Sequence, residues 1–269
     1  MSDESYRLAA WWGSRQITIE QFADDFGAFL NTLPEIDSIF LSWLNYRPSD
    51  KPRFPVPMAH EDTICAATKA QSRYDKPKDK IWPEMGFHLS GRHAGSPEYF
   101  RRPEFEMSTI VWAGAYGGNN PHCNHVEIQI GTKRISTGQP WRASELIPLM
   151  KLVLRIWQPR EMSVDCWRYG DLRASVPDAV GAARHAALSP RLQLLNPLQD
   201  RTLLPWVGWL TYLPADLAAK VTIPGEIAVE RLDDGGIIAT LCDEPFTIDN
   251  PIHTARARAM EAAIRPVQS

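Results

Sequence analysis

Cysteine is scarce and scattered in this chain. Cys65, Cys123, Cys166 and Cys242 lie far apart among 269 residues and form no C-x-x-C pair, so no disulfide scaffold is expected. A run of about 18 consecutive apolar residues is also missing, which argues against a membrane-spanning helix. The opening "MSDESYRLAAWW" has neither the basic start nor the apolar run of a signal peptide, so a reduced cytosolic setting is expected. Charge of one sign is not in excess either. The 29 basic and 32 acidic residues nearly balance, pI is about 6.2, and nothing suggests a general binder of nucleic acid. Catalytic signatures are missing too: G-x-S-x-G, H-E-x-x-H, a P-loop and G-x-G-x-x-G do not occur. The expectation is therefore a protein without catalytic residues, cofactor or metal.

What the chain does have is core-forming material. Hydrophobic residues make up 44% of it, with ten Trp spread along most of its length. Such a chain can bury a large core as one domain, 1–269, or as two closely packed lobes of about 1–140 and 141–269. "YRLAAWW" (6–12) reads as an opening strand ended by Gly13. Thr18 and Gln21 form a capping-box pattern ahead of a helical stripe of Ile19, Phe22, Phe26, Phe29 and Leu33, with Pro34 as its stop. Residues 36–46 are expected as a strand, the Pro-rich 47–58 as a loop, and the basic 69–80 as a solvated helix end or loop.

Further along, strands near 104–115 and 125–131 flank Gly117, Gly118, Asn119, Asn120 and Pro121, which is hairpin-loop chemistry. Residues 144–157 are apolar nearly all round, apart from Lys151 and Arg155, and predict a helix buried against a sheet despite Pro148. Strands are expected at 163–169 and 206–213, then a hairpin around "DDGG", then a helix from Asn250–Pro251 to about Arg265. Residues 171–205 give no firm pattern. The element order predicts an α+β fold, antiparallel sheet with three main helices packed against it. Its halves are loosely alike, as in a pseudo-duplicated arrangement, but no repeat is strong enough to establish one.

Two constellations bear on function. Cys123, His125 and Glu127 share one face of a strand if 123–131 is extended. Zinc takes thiolate, imidazole and carboxylate ligands, and His122 could add another, but no second ligand pair with zinc spacing follows. Because Val126, Ile128 and Ile130 form the apolar face, His125, Glu127 and Gln129 are expected on a solvent or interface face. The second constellation is charge. Residues 201–250 hold three basic and eight acidic side chains, a net of −5. Any one of these acids reads most simply as a solvated turn residue. Together, Glu230, Asp233, Asp234, Asp243 and Glu244 would attract a basic partner.

Three stretches, "YRLAAWWGSR", "WVGWLTYLP" and "LDDGGIIATLCDEPFTIDNPIHTARA", together resemble the immunity protein 52 family of bacterial polymorphic toxin systems. The resemblance implies an α+β protein that binds and neutralises a cognate toxin, often one with a restriction-endonuclease-like nuclease domain, in the cell that makes both. It brings no catalytic residues with it. A nuclease holds phosphates and so presents a basic surface. The partner-binding candidates are then Glu230, Asp233, Asp234, Asp243 and Glu244, with Asn119, Asn120 and His122 of the 117–122 turn. The competing readings are a small cytosolic hydrolase or transferase using Cys123 and His125, and an assembly protein with no toxin partner.

Overall fold

The structure is a computed structural model, and it describes residues 5–37, 40, 43–45, 59–71, 86–93, 107–116, 124–134, 136–166 and 207–267. In chain order the elements are β1 (Tyr6–Trp12), α1 (Ile19–Ile36), β2 (Trp43–Asn45), α2 (His60–Gln71) and β3 (Phe87–His93). There follow β4 (Met107–Ala113), β5 (Asn124–Ile130), α3 (Ala143–Trp157), β6 (Glu161–Cys166) and β7 (Leu210–Leu213). The last are α4 (Ala215–Ala218), β8 (Ala228–Arg231), β9 (Ile237–Thr240), α5 (Pro251–Ile264) and a 3₁₀ turn, Arg265–Val267.

The strands join in one sheet of order β2-β3-β4-β5-β1-β6-β7-β9-β8, every pairing antiparallel. This is the expected antiparallel α+β fold. The first strand of the chain sits in the middle of the sheet. Its Leu8, Ala9 and Ala10 are fully buried, as a strand flanked on both sides and covered on both faces must be.

One face of the sheet carries Tyr6, Leu8, Ala10 and Trp12 of β1 beside Val126, Ile128 and Ile130 of β5 and Met162 and Val164 of β6. Helices α1 and α3 pack on this face through aromatic rings. Trp157 of α3 stacks on Trp12 at 5.7 Å, and Phe22 of α1 meets Phe87 at 5.7 Å and Trp157 at 6.4 Å. Arg134 fastens the two helices together. Its guanidinium binds the buried Asp37 after α1 and Glu145 in the first turn of α3, and lies 5.3 Å over the Trp141 ring.

Several local expectations hold. Thr18 accepts from the Gln21 N–H at 3.2 Å while the Gln21 side chain accepts from the Thr18 N–H at 3.0 Å. Asn250 caps α5 by accepting from the Ile252 N–H at 3.0 Å, with Pro251 at the first helical position.

Others need correction. Pro34 does not stop α1, which continues to Ile36. In the last turn a proline forfeits only one interior bond, and the Asp37 N–H closes the helix on Leu33 O at 3.2 Å. Of the strand expected over 36–46, the described residues show strand at 43–45, while Ile36 belongs to α1 and the Asp37 carbonyl accepts from the Phe40 N–H at 3.0 Å. Pro148 lies inside α3 and is tolerated there.

The strand expected at 206–213 begins at Leu210. Gly208 lies so close to β6 that a Cβ there would be 2.3 Å from Val164 O, and its N–H turns inward to Thr211 Oγ1 at 3.1 Å. The strand expected from 163 begins at Glu161 and is followed to Cys166. Helix α2, which puts Lys69 in its last turn, and strand β3 were not anticipated. The expected loops at 47–58 and 117–122, the rest of the basic 72–80 stretch, and 171–205 lie outside the described residues.

Candidate partner-binding surface

The β8–β9 hairpin is built by its turn. Gly235 takes φ +84°, a conformation that glycine adopts without the clash a Cβ would bring. The Gly235 N–H donates to Leu232 O at 3.0 Å, and the Leu232 N–H donates to Gly236 O at 2.9 Å. That is a three-residue hairpin loop with glycine in the left-handed position. Asp234 steadies it by accepting from the Gly236 N–H at 2.8 Å. The tip rests on Tyr212 of β7 and Ala215 of α4. Burial, and then the nearby Asp234 charge, pushes the Tyr212 hydroxyl up to about 12, so it stays a neutral phenol.

The five carboxylates proposed from sequence do not form one surface of idle charge. Asp233 and Asp234 are exposed at the hairpin tip. Asp216 of α4 also interacts with Tyr212, and it is held by Arg160 through two bonds of 2.7 and 3.3 Å. Glu230 points to the helix-bearing face, where Lys151 of α3 binds it. Asp243 works as a helix cap. It accepts from the Ser144 N–H at 3.3 Å and from Arg142 at 2.9 Å, and the Arg142 bond holds its carboxyl below the usual range.

Glu244 joins the loop after β9 to α5. His253 lies 2.9 Å from it and, through that bond, holds the Glu244 carboxyl below its ordinary value. Asn119, Asn120 and His122, the other candidates, lie outside the described residues, as does Cys123.

His253, Glu244 and Cys242 bring a nitrogen, an oxygen and a sulfur within 4.8 Å of one another, a grouping that could in principle hold a metal. The hydrogen bonds argue against it. The Thr247 N–H donates to His253 Nδ1 at 3.2 Å, so the neutral ring carries its proton on Nε2, which faces Glu244. A metal at Nε2 requires the proton on the other nitrogen, and Thr247 occupies that position. The thiol is engaged as well. Burial, then the Glu244 charge, pushes Cys242 up to about 12, and its S–H donates to Glu244 O at 3.2 Å. A protonated, buried thiol is a poor nucleophile at neutral pH. The trio is a joint between loop and helix, and sequence reading missed it because Cys242, Glu244 and His253 meet only once α5 folds back.

On β5, burial alternates as expected, with Val126, Ile128 and Ile130 inward. His125 and Glu127 lie on the face away from α1 and α3. There His125 meets the Trp112 ring at 6.4 Å, Trp112 stacks on His88 at 4.6 Å, and Glu127 faces Arg7 at 3.7 Å.

The immunity protein 52 family model matches residues 184–266. It is the family that the sequence resembles, and the match takes in β7, the hairpin, the Asp243–Glu244 loop and α5. Of the three stretches that carry the resemblance, "WVGWLTYLP" and the "LDDGG" segment fall inside it, and "YRLAAWWGSR" falls outside. Among solved structures, Pseudomonas aeruginosa T6SS protein PA0821 aligns over 97% of this chain and 73% of its own, at 12% identity and TM-score 0.48. A likeness that loose carries no argument about function. No curated protein matches the chain significantly.

Proposed function

We propose that this chain is an immunity protein, which neutralises a bacterial toxin by binding it and catalyses nothing. The immunity protein 52 match over 184–266 carries the reading. The geometry of that region supports it: a hairpin exposed along β8 and at its acidic tip, with β9 built into the sheet, offers contact and charge rather than a reactive centre. The Cys242 thiol and the His253 tautomer, both held in unreactive forms, agree with a binder. One sheet running from β2 to β8 supports treating 1–269 as a single immunity domain. The partner proposed is a toxin with a restriction-endonuclease-like nuclease domain, whose phosphate-holding surface is basic and so complements Asp233 and Asp234. Neutralisation would take place in the cytoplasm of the producing cell. No helix among the described residues is long and apolar enough to cross a membrane.

The test is a titration against the purified nuclease domain of the effector encoded beside this gene. Nuclease activity should vanish near a fixed molar ratio. Protection at a small fraction of that ratio would point to catalysis and defeat the proposal.

A further inference from the structure

Strand β8 ends the sheet, and among the described residues no strand pairs with its outer edge. The hydrogen-bonded pair Leu232–Gly236 sets the phase of the hairpin. In an antiparallel ladder, bonding positions alternate along the strand, so Glu230 and Ala228 direct their N–H and C=O toward β9. Val229 and Arg231 direct theirs outward. Among the described residues nothing bonds to those outward groups, and Ala228, Val229 and Arg231 are all exposed. Val229 is 40% exposed and puts an apolar side chain on this edge. It projects from the face opposite the Glu230–Lys151 pair.

An open edge with an apolar side chain is a template for another strand. The charges around it decide which strand fits. A second copy of this chain fits poorly. From 226 to 234 the edge and its flanks carry Glu226, Glu230, Asp233 and Asp234 against Arg231, so a second copy brings like charge to like. A strand carrying Lys or Arg meets the reverse situation. Exposed Glu226 lies before β8 and exposed Asp233 and Asp234 lie after it.

We infer that the β8 edge is the docking line for the toxin: an extended, basic segment of the toxin adds to this edge as a further strand. It would place an apolar side chain over Val229 and basic side chains against Glu226 and the Asp233–Asp234 tip. Val229 and Arg231 supply two N–H donors and two C=O acceptors for it. The mode gives affinity through main-chain bonds and selectivity through the flanking charges. This inference rests on the immunity reading and extends it to a place and a geometry.

Amide hydrogen exchange on the wild-type chain, free and saturated with the effector's nuclease domain, tests it without any substitution. The Val229 and Arg231 amides should slow at least about tenfold on binding, whereas Ala228 and Glu230, already paired to β9, should change little. A saturated complex in which Val229 and Arg231 exchange as in the free chain overturns the inference and leaves the immunity reading standing. Absence of any binding by the wild-type chain overturns both. A second arm is Val229→Pro, which removes an outward donor while sparing the β9 ladder. It should raise Kd at least about tenfold, because a carbonyl of the toxin strand loses its donor. An unchanged Kd in a variant with wild-type unfolding behaviour counts against the inference. If the variant does not fold, the exchange measurement decides.

Discussion

Two pairs of adjacent acids, Asp233–Asp234 and Asp243–Glu244, stand ten residues apart and look alike in the sequence. Each is next to a turn, and each is exposed. Their roles differ because of what lies beside them in space. Asp243 and Glu244 are engaged: one caps α3 and binds Arg142, and the other holds His253 of α5. Asp233 and Asp234 are exposed at the hairpin tip, and Asp234 accepts from the Gly236 N–H of its own turn. Exposure alone therefore does not mark a carboxylate as available to a partner. A charge that already holds two elements together is a poor choice for a docking contact, since binding would have to replace its bonds.

The comparison breaks most visibly at His253. This side chain is 2% exposed, packs on Phe246 at 5.6 Å, and contacts Thr247, Asn250 and Glu244. Changing His253→Ala should cost about 2–4 kcal/mol of stability, from lost packing and the loss of its bonds to Thr247 and Glu244. Denaturant unfolding measures it. A cost under about 0.5 kcal/mol would mean that the Glu244 joint does not hold α5.

Asp243→Ala is expected to cost less, about 1 kcal/mol, the usual value of a lost helix cap. The Arg142 pair adds little because both partners are well exposed. The engaged pair also predicts a pH dependence with a definite sign. Asp243 and Glu244 both have folded pKa values below their ordinary ones. Their contribution is present above the unfolded carboxylate value of about 4 and is lost as pH falls through the depressed folded values. Urea unfolding at pH 6 and pH 3 should show a smaller loss in an Asp243→Asn, Glu244→Gln variant than in the wild type. Equal losses would remove these two groups from the acid response.

The smallest effect on stability belongs to the tip. Asp233→Asn with Asp234→Asn should change stability by less than about 0.5 kcal/mol, since Asn suits the turn and keeps the acceptor for the Gly236 N–H. Association with a basic toxin domain should slow several-fold at low ionic strength and approach the wild-type rate at high salt. Glu244 is best left unchanged in that experiment, because losing its bond to His253 would mix a structural defect into the kinetics. An unchanged rate at both salt levels would make the tip ordinary solvated surface and erase the contrast between the two acid pairs.

Features that depend on a few neighbouring residues were legible in the sequence. The alternation of Val126, Ile128 and Ile130 predicts a half-buried β5, Thr18 and Gln21 predict the start of α1, and "DDGG" predicts the β8–β9 turn. Period, capping and turn chemistry act over one to four positions, so composition there is decisive. Pro34 misled because its effect depends on where in the helix it falls, and α1 places it in a turn that can spare the bond.

The strand order, and with it the fate of each carboxylate, was settled only by tertiary structure. Nothing near "YRLAAWW" says that it will lie in the middle of the sheet, and nothing near "AVER" says that it will lie at the end of the strand order. The first follows from pairing with β5 and β6, far along the chain, and the second from β9 giving its other edge to β7, so that its hairpin partner β8 lies outermost. The same holds for Asp243, which is engaged because α3, about a hundred residues earlier in the sequence, brings its first N–H groups to that loop. Strand edges and occupied charges are properties of what packs beside a residue, and the local sequence does not carry that information.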